Sequence, residues 1–435
     1  MLERLKGIIL DFQEQKNDTG IPRRLDVTPV PNKATICIGA RRSGKSTYLF
    51  QLIQKLLDSG VSQKNILYIN FFDDRLHELR ADNLGTILEA YFALFPEKKN
   101  TEKIYLFFDE IQVIPGWESF TDRVMRTENC QVYITGSSAQ MLSREIATQM
   151  RGRALSWEVF PFSFAECLDY QEIWHGSDLS TKQRLLIQKG YEKYFETGGF
   201  PEVLGLHSSL RIKIHQEYFN AMLFRDIIER YDISHPKAVK DLALKLIDNT
   251  GSLYTINKLT QYLKSLGYNV PKSSVSDYLN WFEDAYILFT VRMFDASMAR
   301  ANVNPKKIYC IDHAMVSSLS SGILLNSGHL LENLVFTTLR RYSPKVFYYR
   351  TNGGREVDFL CLSQNRTKTL FQVSESLADQ KTKTREVTAL NEAMAELGLH
   401  EGTIVTRNEE DSFAVEAGMI RVVPAWRFIL NWVNY

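Results

Sequence analysis

Gly39-Ala40-Arg41-Arg42-Ser43-Gly44-Lys45-Ser46 matches G-x-x-x-x-G-K-[ST], and its flanks fit the same reading. Ala34 to Ile38 before it is short, apolar and β-prone. Thr47 to Leu57 after it repeats apolar residues at helical spacing, and Gly60 ends the pattern. A strand that turns through glycines into a helix is what a phosphate site requires. Backbone N–H groups of the loop and the positive end of the helix dipole meet the anion. Gly39, Ala40, Arg41, Arg42, Ser43, Gly44, Lys45, Ser46 and Thr47 are therefore the expected nucleotide-binding residues. Lys45 supplies a positive charge for the β- and γ-phosphates, and the Ser46 hydroxyl a ligand for Mg2+.

Ile104-Tyr105-Leu106-Phe107-Phe108-Asp109-Glu110 is an apolar strand ending in two carboxylates, a Walker B pattern. Asp109 is expected to hold Mg2+, directly or through water, and Glu110 to orient the attacking water. Gln131 to Ser138 reads as a further buried strand ending in small hydroxyl residues. In a parallel sheet its end shares a crevice with the P-loop. Thr135 or Ser137 then senses the γ-phosphate; the residues themselves do not choose between the two, and either serves equally to cap the next helix. That helix is expected from about Ala139 to Met150, with Arg151-Gly152-Arg153 ending it. Arg153 is the leading candidate to stabilise γ-phosphate charge, in its own chain or a neighbour's, ahead of Arg151. The plainer alternative is a cation at a helix C-terminus.

Asp109-Glu110-Ile111-Gln112, Pro115-Gly116-Trp117-Glu118, Thr135-Gly136-Ser137-Ser138, Arg151-Gly152-Arg153, Phe160-Pro161-Phe162-Ser163-Phe164-Ala165-Glu166 and Gly198-Gly199-Phe200-Pro201-Glu202 follow one another in order. Together they resemble a prokaryotic family of AAA-type ATPases whose C-terminal domain, of unknown function, is related to PD-(D/E)xK nucleases. The resemblance spans nearly the whole chain. It implies that Gly199-Phe200-Pro201 approaches the nucleotide base, which adds Pro201 to the nucleotide-binding residues. Asn257-Lys258-Leu259-Thr260 lacks the Asp of a guanine-reading motif, so ATP is preferred to GTP.

A length of 435 residues implies two to four domains. Hydrophobic content of 44% and charged content of 24% belong to a folded protein, and a net charge of +1 argues against gripping a polyphosphate by bulk charge. Cys37, Cys130, Cys167, Cys310 and Cys361 are far apart and form neither a C-x-x-C pair nor a zinc spacing, which fits a reducing cytoplasm. The N-terminus has mixed charge and no apolar signal core, and no run approaches a membrane span of ~20 apolar residues.

The expected fold class is α/β. Residues 1–30 form an N-terminal helix and linker, 31–175 a P-loop NTPase core of AAA type, and 176–235 a helical lid. Residues 236–298 form a winged-helix-like module, and 299–435 a restriction-endonuclease-like α/β domain of the PD-(D/E)xK kind. In the winged module the presumed recognition helix offers Lys272 but also Asp277, Glu283 and Asp284, between apolar and aromatic residues. Major-groove readers need polar and basic side chains there, so packing or assembly is favoured over DNA contact.

A helix Glu, a strand Asp and E-x-K on the next strand is the PD-(D/E)xK layout. Here Glu332 and Asp358 hold the first two places, but the third reads Gln372-Val373-Ser374. Gln372 brings an oxygen without charge, and Ser374 cannot replace a lysine. A degenerate nuclease-like site is therefore expected, without nuclease activity. The chain as a whole is read as an ATPase that hydrolyses ATP with Mg2+ to switch or remodel a protein or nucleic-acid client, with homo-oligomerisation open. The alternatives are an ATP-regulated nuclease and an ATP-dependent DNA-binding regulator.

Overall fold

The computed structural model describes residues 1–137, 150, 152–174, 176, 179–295, 304–322, 326–363 and 365–431. The helix expected from Ala139, together with Ser138, Arg151 and Gln364, lies outside them. The chain divides into two units, Met1–Phe160 and Pro161–Tyr435. No helix of the described residues is long and apolar enough to cross a membrane.

The first unit begins with helix α1 (Leu2–Glu14). Strand β1 (Ala34–Ile38), helix α2 (Lys45–Asp58), β2 (Ile66–Asn70), α3 (Thr86–Leu94), β3 (Ile104–Asp109), α4 (Trp117–Thr127), β4 (Cys130–Gly136) and β5 (Ala154–Glu158) come next in chain order. The strands form one parallel sheet in the order β2-β3-β4-β1-β5. Every residue of β1 is buried, as expected of a central parallel strand covered on both faces. The sheet and α2 share a core of Cys37, Tyr48, Leu49, Leu52, Ile53, Ile66, Phe107, Tyr133 and Val159. Within it Phe107 and Tyr133 stack with ring centroids 4.4 Å apart. Helix α1 is tied to this core by Phe12, which stacks on Tyr68 at 5.2 Å.

The order of strands decides where a ligand can sit. From β1 the chain crosses to the far edge at β2 and works back through β3 and β4 to lie beside β1 again. The C-terminal ends of β1, β3 and β4 therefore open together at one edge of the sheet, beside the point where strand order reverses.

The second unit opens with helices α5 (Phe164–Tyr170), α6 (Thr181–Thr197) and α7 (Ser208–Ala221), the last running on as a π-type segment to Glu229. Helices α8 (Pro236–Asp248), α9 (Ile256–Ser265) and α10 (Lys272–Asp284) come next, and strands β6 (Leu253–Tyr254), β7 (Leu288–Val291) and β8 (Lys306–Cys310) make an antiparallel sheet with β8 in the middle. Helices α11 (His313–Leu319) and α12 (Ser327–Tyr342) lead to a six-stranded mixed sheet. Its strands are β9 (Val346–Arg350), β10 (Glu356–Leu362), β11 (Lys368–Ser374), β12 (Glu401–Thr406), β13 (Asp411–Val415) and β14 (Gly418–Pro424), in the order β13-β14-β12-β11-β10-β9. Helix α13 (Gln380–Leu397), capped by the Asp379 side chain, lays Ala389, Leu390, Ala393 and Met394 on Val357, Leu360, Leu370, Ile404 and Ile420 of that sheet. Helix α14 (Ala425–Asn431) comes after β14.

Candidate functional site

Gly39 leaves β1 where β5 comes closest: Val159 N–H donates to the Ile38 carbonyl at 2.6 Å, and a Cβ on Gly39 would lie 2.1 Å from the Val159 carbonyl oxygen. Only glycine fits. Gly44 has φ +92° and turns the loop into the first turn of α2, where Lys45, Ser46 and Thr47 sit. Ser43 is fully buried, and its hydroxyl has no hydrogen-bond partner among the described residues. The Arg23 guanidinium, from the linker before β1, donates to the Ser43 carbonyl at 2.8 Å and to the Phe160 carbonyl at 2.6 Å. Gln51 Nε2 on α2 holds the same linker through the Thr19 and Ile21 carbonyls, each at 2.7 Å.

The Lys45 ammonium is turned back into the loop. It donates to the Gly39 and Ala40 carbonyls at 3.2 and 3.0 Å and lies 3.7 Å from Glu110 Oε1. Across the crevice Asp109 is fully buried and both its oxygens are bonded: Tyr68 Oη donates to Oδ2 at 2.8 Å, and the Thr135 hydroxyl to Oδ1. Burial, and then Asp109 itself, pushes the Tyr68 pKa up, so the phenol stays a donor. The Thr135 oxygen in turn accepts the Glu110 N–H at 2.9 Å. One hydroxyl thus holds the Asp109 carboxylate and the Glu110 backbone together at the β3 terminus. The register makes this possible, because Cys37 pairs with Thr135 and Phe108 with Ile134, setting the three strand ends in one row. Ser137 lies beyond β4 and is buried.

Glu110 carries an unusual backbone for a residue with a Cβ, φ 59° and ψ 37°. Its Oε2 accepts from Gln112 Nε2 at 2.5 Å, while Gln112 Oε1 is buried without a partner among the described residues. Cys37 sits beside this group, but burial, and then the Asp109 charge, raise its thiol to about 12, which leaves it unreactive.

Ser46 Oγ and the Asp109 carboxylate are hard oxygen donors, which suits Mg2+. The orphaned Ser43 hydroxyl and the lysine folded onto loop carbonyls suit a phosphate that both would meet. The residues present therefore fit Mg2+ and a nucleotide. The sequence reading gives Tyr68, Gln112 and Arg23 no chemical role, although Gln112 stands in the Asp109-Glu110-Ile111-Gln112 string and Arg23 in the linker before the nucleotide domain. Their signals are weak: Tyr68 lies on an edge strand with no motif, and Gln112 is one polar residue in the turn after Asp109-Glu110.

Arg153 stands apart from the crevice. Ala34 N–H donates to the Arg153 carbonyl, so Arg153 lies at the N-terminal end of β1, at the far end of the sheet from the loop. Five residues of strand separate it from Ile38, about 16 Å. Its guanidinium lies 3.6 Å from Asp122. It does not reach a phosphate held by its own chain. Pro201 opens a short turn, Pro201–Val203, in the second unit. The neighbouring Gly199 N–H donates to Asp312 Oδ2 at 2.7 Å, and its carbonyl accepts from Phe162 at 2.6 Å.

In the second unit Glu332 and Asp358 do come together, through a residue absent from the sequence reading. Lys307 Nζ lies 2.9 Å from Glu332 Oε1, 2.8 Å from Asp358 Oδ1 and 2.8 Å from Glu356 Oε1. Tyr309 Oη donates to the same Glu332 oxygen at 2.6 Å, and Val373 N–H to Asp358 Oδ2 at 2.9 Å. Gln372 Oε1 accepts from the Asp358 backbone at 3.1 Å, and its Nε2 donates to Glu386 at 2.6 Å. Ser374 is turned away, its hydroxyl on the Ser376 carbonyl at 2.9 Å.

A family profile described as an AAA domain matches residues 31–168. Two described as domains of unknown function, DUF8612 and DUF4143, match residues 188–325 and 327–428. An uncharacterised protein of Methanocaldococcus jannaschii is 33% identical over 436 residues, which cover 98% of this chain and 95% of that one. One of Haemophilus influenzae is 29% identical over 324 residues, 74% of this chain and 78% of its own. Among solved structures, the Aeropyrum pernix ORC1 protein in complex with DNA aligns at 13% identity with a TM-score of 0.29, covering 74% of this chain and 92% of that chain, a likeness too faint to bear on function. The archaeal relative matches end to end and the AAA domain lies on the P-loop: the chain belongs to the family of that M. jannaschii protein, as a P-loop ATPase of AAA type with a C-terminal DUF4143 domain.

Proposed function

We propose that this chain hydrolyses ATP with Mg2+ and uses loss of the γ-phosphate to switch the arrangement of its parts, acting on a protein or nucleic-acid client. The observation that carries this reading is the Thr135 hydroxyl, which bonds Asp109 and Glu110 at once, opposite Lys45. Ser46 and Asp109 would hold Mg2+, whose charge offsets that of the phosphate oxygens.

The backbone N–H groups of Gly39 to Lys45 and the start of α2 receive the β- and γ-phosphates. Lys45 exchanges the Gly39 and Ala40 carbonyls for phosphate oxygens and so leaves Glu110. Glu110, steadied by Gln112, then accepts a proton from the water that attacks the γ-phosphorus. The bond from that phosphorus to the β-phosphate bridging oxygen breaks, giving ADP and orthophosphate. Thr135 reports which state the crevice holds, because it bonds the Asp109 carboxylate and the Glu110 backbone N–H; Ser137 is the weaker choice. Arg153, at the far end of its own sheet, acts on the nucleotide of a second copy. By the family resemblance Pro201 lies near the base. The C-terminal domain, lacking a lysine at E-x-K, does not cut nucleic acid.

Glu110→Gln tests the centre of this reading. Calorimetry with Mg·ATP should show binding little changed, and phosphate release should fall by about 10²-fold or more. Turnover at the wild-type rate would move the base elsewhere.

A further inference from the structure

The ammonium of Lys307 stands where a nuclease of this layout would carry its metal. The side chain is 3% exposed, and a lysine buried to that degree survives only with charged partners. It has three: Glu332, Glu356 and Asp358, at 2.8 to 2.9 Å, one for each N–H of the ammonium. Burial pulls the lysine pKa down, yet Asp358, Glu332, Tyr309 and Glu356 together lift it well above the ordinary value, so the group stays charged.

The carboxylate oxygens are also spoken for by their other neighbours. Glu332 Oε1 takes the Tyr309 hydroxyl as well as Lys307, and Asp358 Oδ2 takes the Val373 N–H. A divalent ion ligated by Glu332 and Asp358 would have to lie against a positive charge that already bonds both. Among the described residues no group of three or more His, Cys, Asp or Glu side chains is arranged to hold a metal. Gln372, the remaining place of the layout, spends its amide on Glu386 and the Asp358 backbone.

Position in the fold says what the contact does. Lys307 and Tyr309 are two apart on β8, the middle strand of the small antiparallel sheet, so they share a face. Glu332 is on α12, and Glu356 and Asp358 share a face of β10 in the large sheet. We infer that the Lys307 ammonium is the resident cation of this nuclease-like site, and that the acids clamp β8 to α12 and β10 instead of binding a divalent metal. A lysine is thus present in the cluster although E-x-K lacks one, but it occupies the cation's place. This inference is independent of the ATPase reading.

Manganese is the probe, titrated into nucleotide-free full-length protein and followed by electron paramagnetic resonance. Wild type, Asp358→Asn and the milder Glu356→Gln should bind it alike and weakly, since none holds it in the cluster. Lys307→Ala should gain a site about tenfold tighter or more, and Lys307→Ala with Asp358→Asn should lose it again. Wild type should leave plasmid intact in Mn2+. A wild-type manganese site lost in Asp358→Asn or Glu356→Gln overturns the inference. So does plasmid cleavage that depends on Asp358, or a folded Lys307→Ala that gains no manganese. Should Lys307→Ala not fold, the wild-type comparison decides alone.

Discussion

Thr135→Val removes one hydroxyl and leaves the packing volume almost unchanged. Two hydrogen bonds go with it: the one given to the buried Asp109 carboxylate and the one taken from the Glu110 N–H. A bond to a charged group contributes about 1.5–3 kcal/mol, and a neutral one about 1 kcal/mol. The loss is then roughly 2.5–4 kcal/mol, larger if the Glu110 amide finds no water. Part of it must appear as stability. For a unit of this size each kcal/mol lowers the midpoint of thermal unfolding by roughly 2–4 °C, so the share left after the catalytic loss below should lower it by at most about 5 °C. The rest should appear in turnover, because the same hydroxyl fixes the backbone from which Glu110 reaches its water. If about 2.7 kcal/mol of it acts only in the transition state, kcat falls about 10²-fold. The P-loop is untouched, so KM for Mg·ATP should change by less than about threefold. Thr135→Ser restores the hydroxyl and should restore kcat at a small cost in packing. Steady-state phosphate release against ATP concentration, beside a thermal melt, reads both quantities. A Thr135→Val protein that melts lower but turns over within about twofold of wild type would show the hydroxyl to be structural alone. Ser137→Ala would then become the variant to measure.

Arg153→Ala should abolish most turnover of the assembled protein. Mixing it with Glu110→Gln chains should recover part of the rate, since each variant supplies what the other lacks; a mixture no faster than its components refutes the shared site. Lys307→Ala should also change how stability depends on pH. Burial raises the Glu332 pKa, so between the ordinary glutamate range and that raised value the folded chain keeps a proton the unfolded chain has released, and stability falls as pH rises. Lys307 opposes that shift, and without it the decline should steepen. The variant should lie closest to wild type near about pH 5 and furthest near about pH 8, and a loss independent of pH in thermal melts would reject the clamp.

How much was legible differs between the two sites for a physical reason. The P-loop and the β3 terminus are contiguous stretches whose chemistry is carried largely by the backbone. A short window around Gly39 or Asp109 contains the strand, the turn and the first residues of the next element. The choice between Thr135 and Ser137 was not legible, because it depends on which residue of β4 stands level with Asp109. Whether Arg153 acts in its own chain or a neighbour's was not legible either, for want of direction. Its place after a helix suggested nearness to the phosphates, but a residue that opens a parallel strand lies a strand's length from the end that carries the ligand.

Lys307 could not be found by reading along the chain at all. Its partners lie 25 residues away at Glu332 and 51 at Asp358, on elements that meet only in the folded state. Lys306-Lys307-Ile308-Tyr309-Cys310 does hold a trace of it, a lysine and a tyrosine alternating onto one face of an otherwise apolar strand. In isolation that pattern says edge strand or solvated end, the usual fate of a strand lysine. What reverses it is the charge on α12 and β10. Three carboxylates crowded together without a counterion would be prohibitive, and so would the buried ammonium, so neither can be interpreted without the other. A search for E-x-K asks whether the third element supplies a lysine. The physical question is whether a cation stands among the acids, and a strand outside the motif answers it.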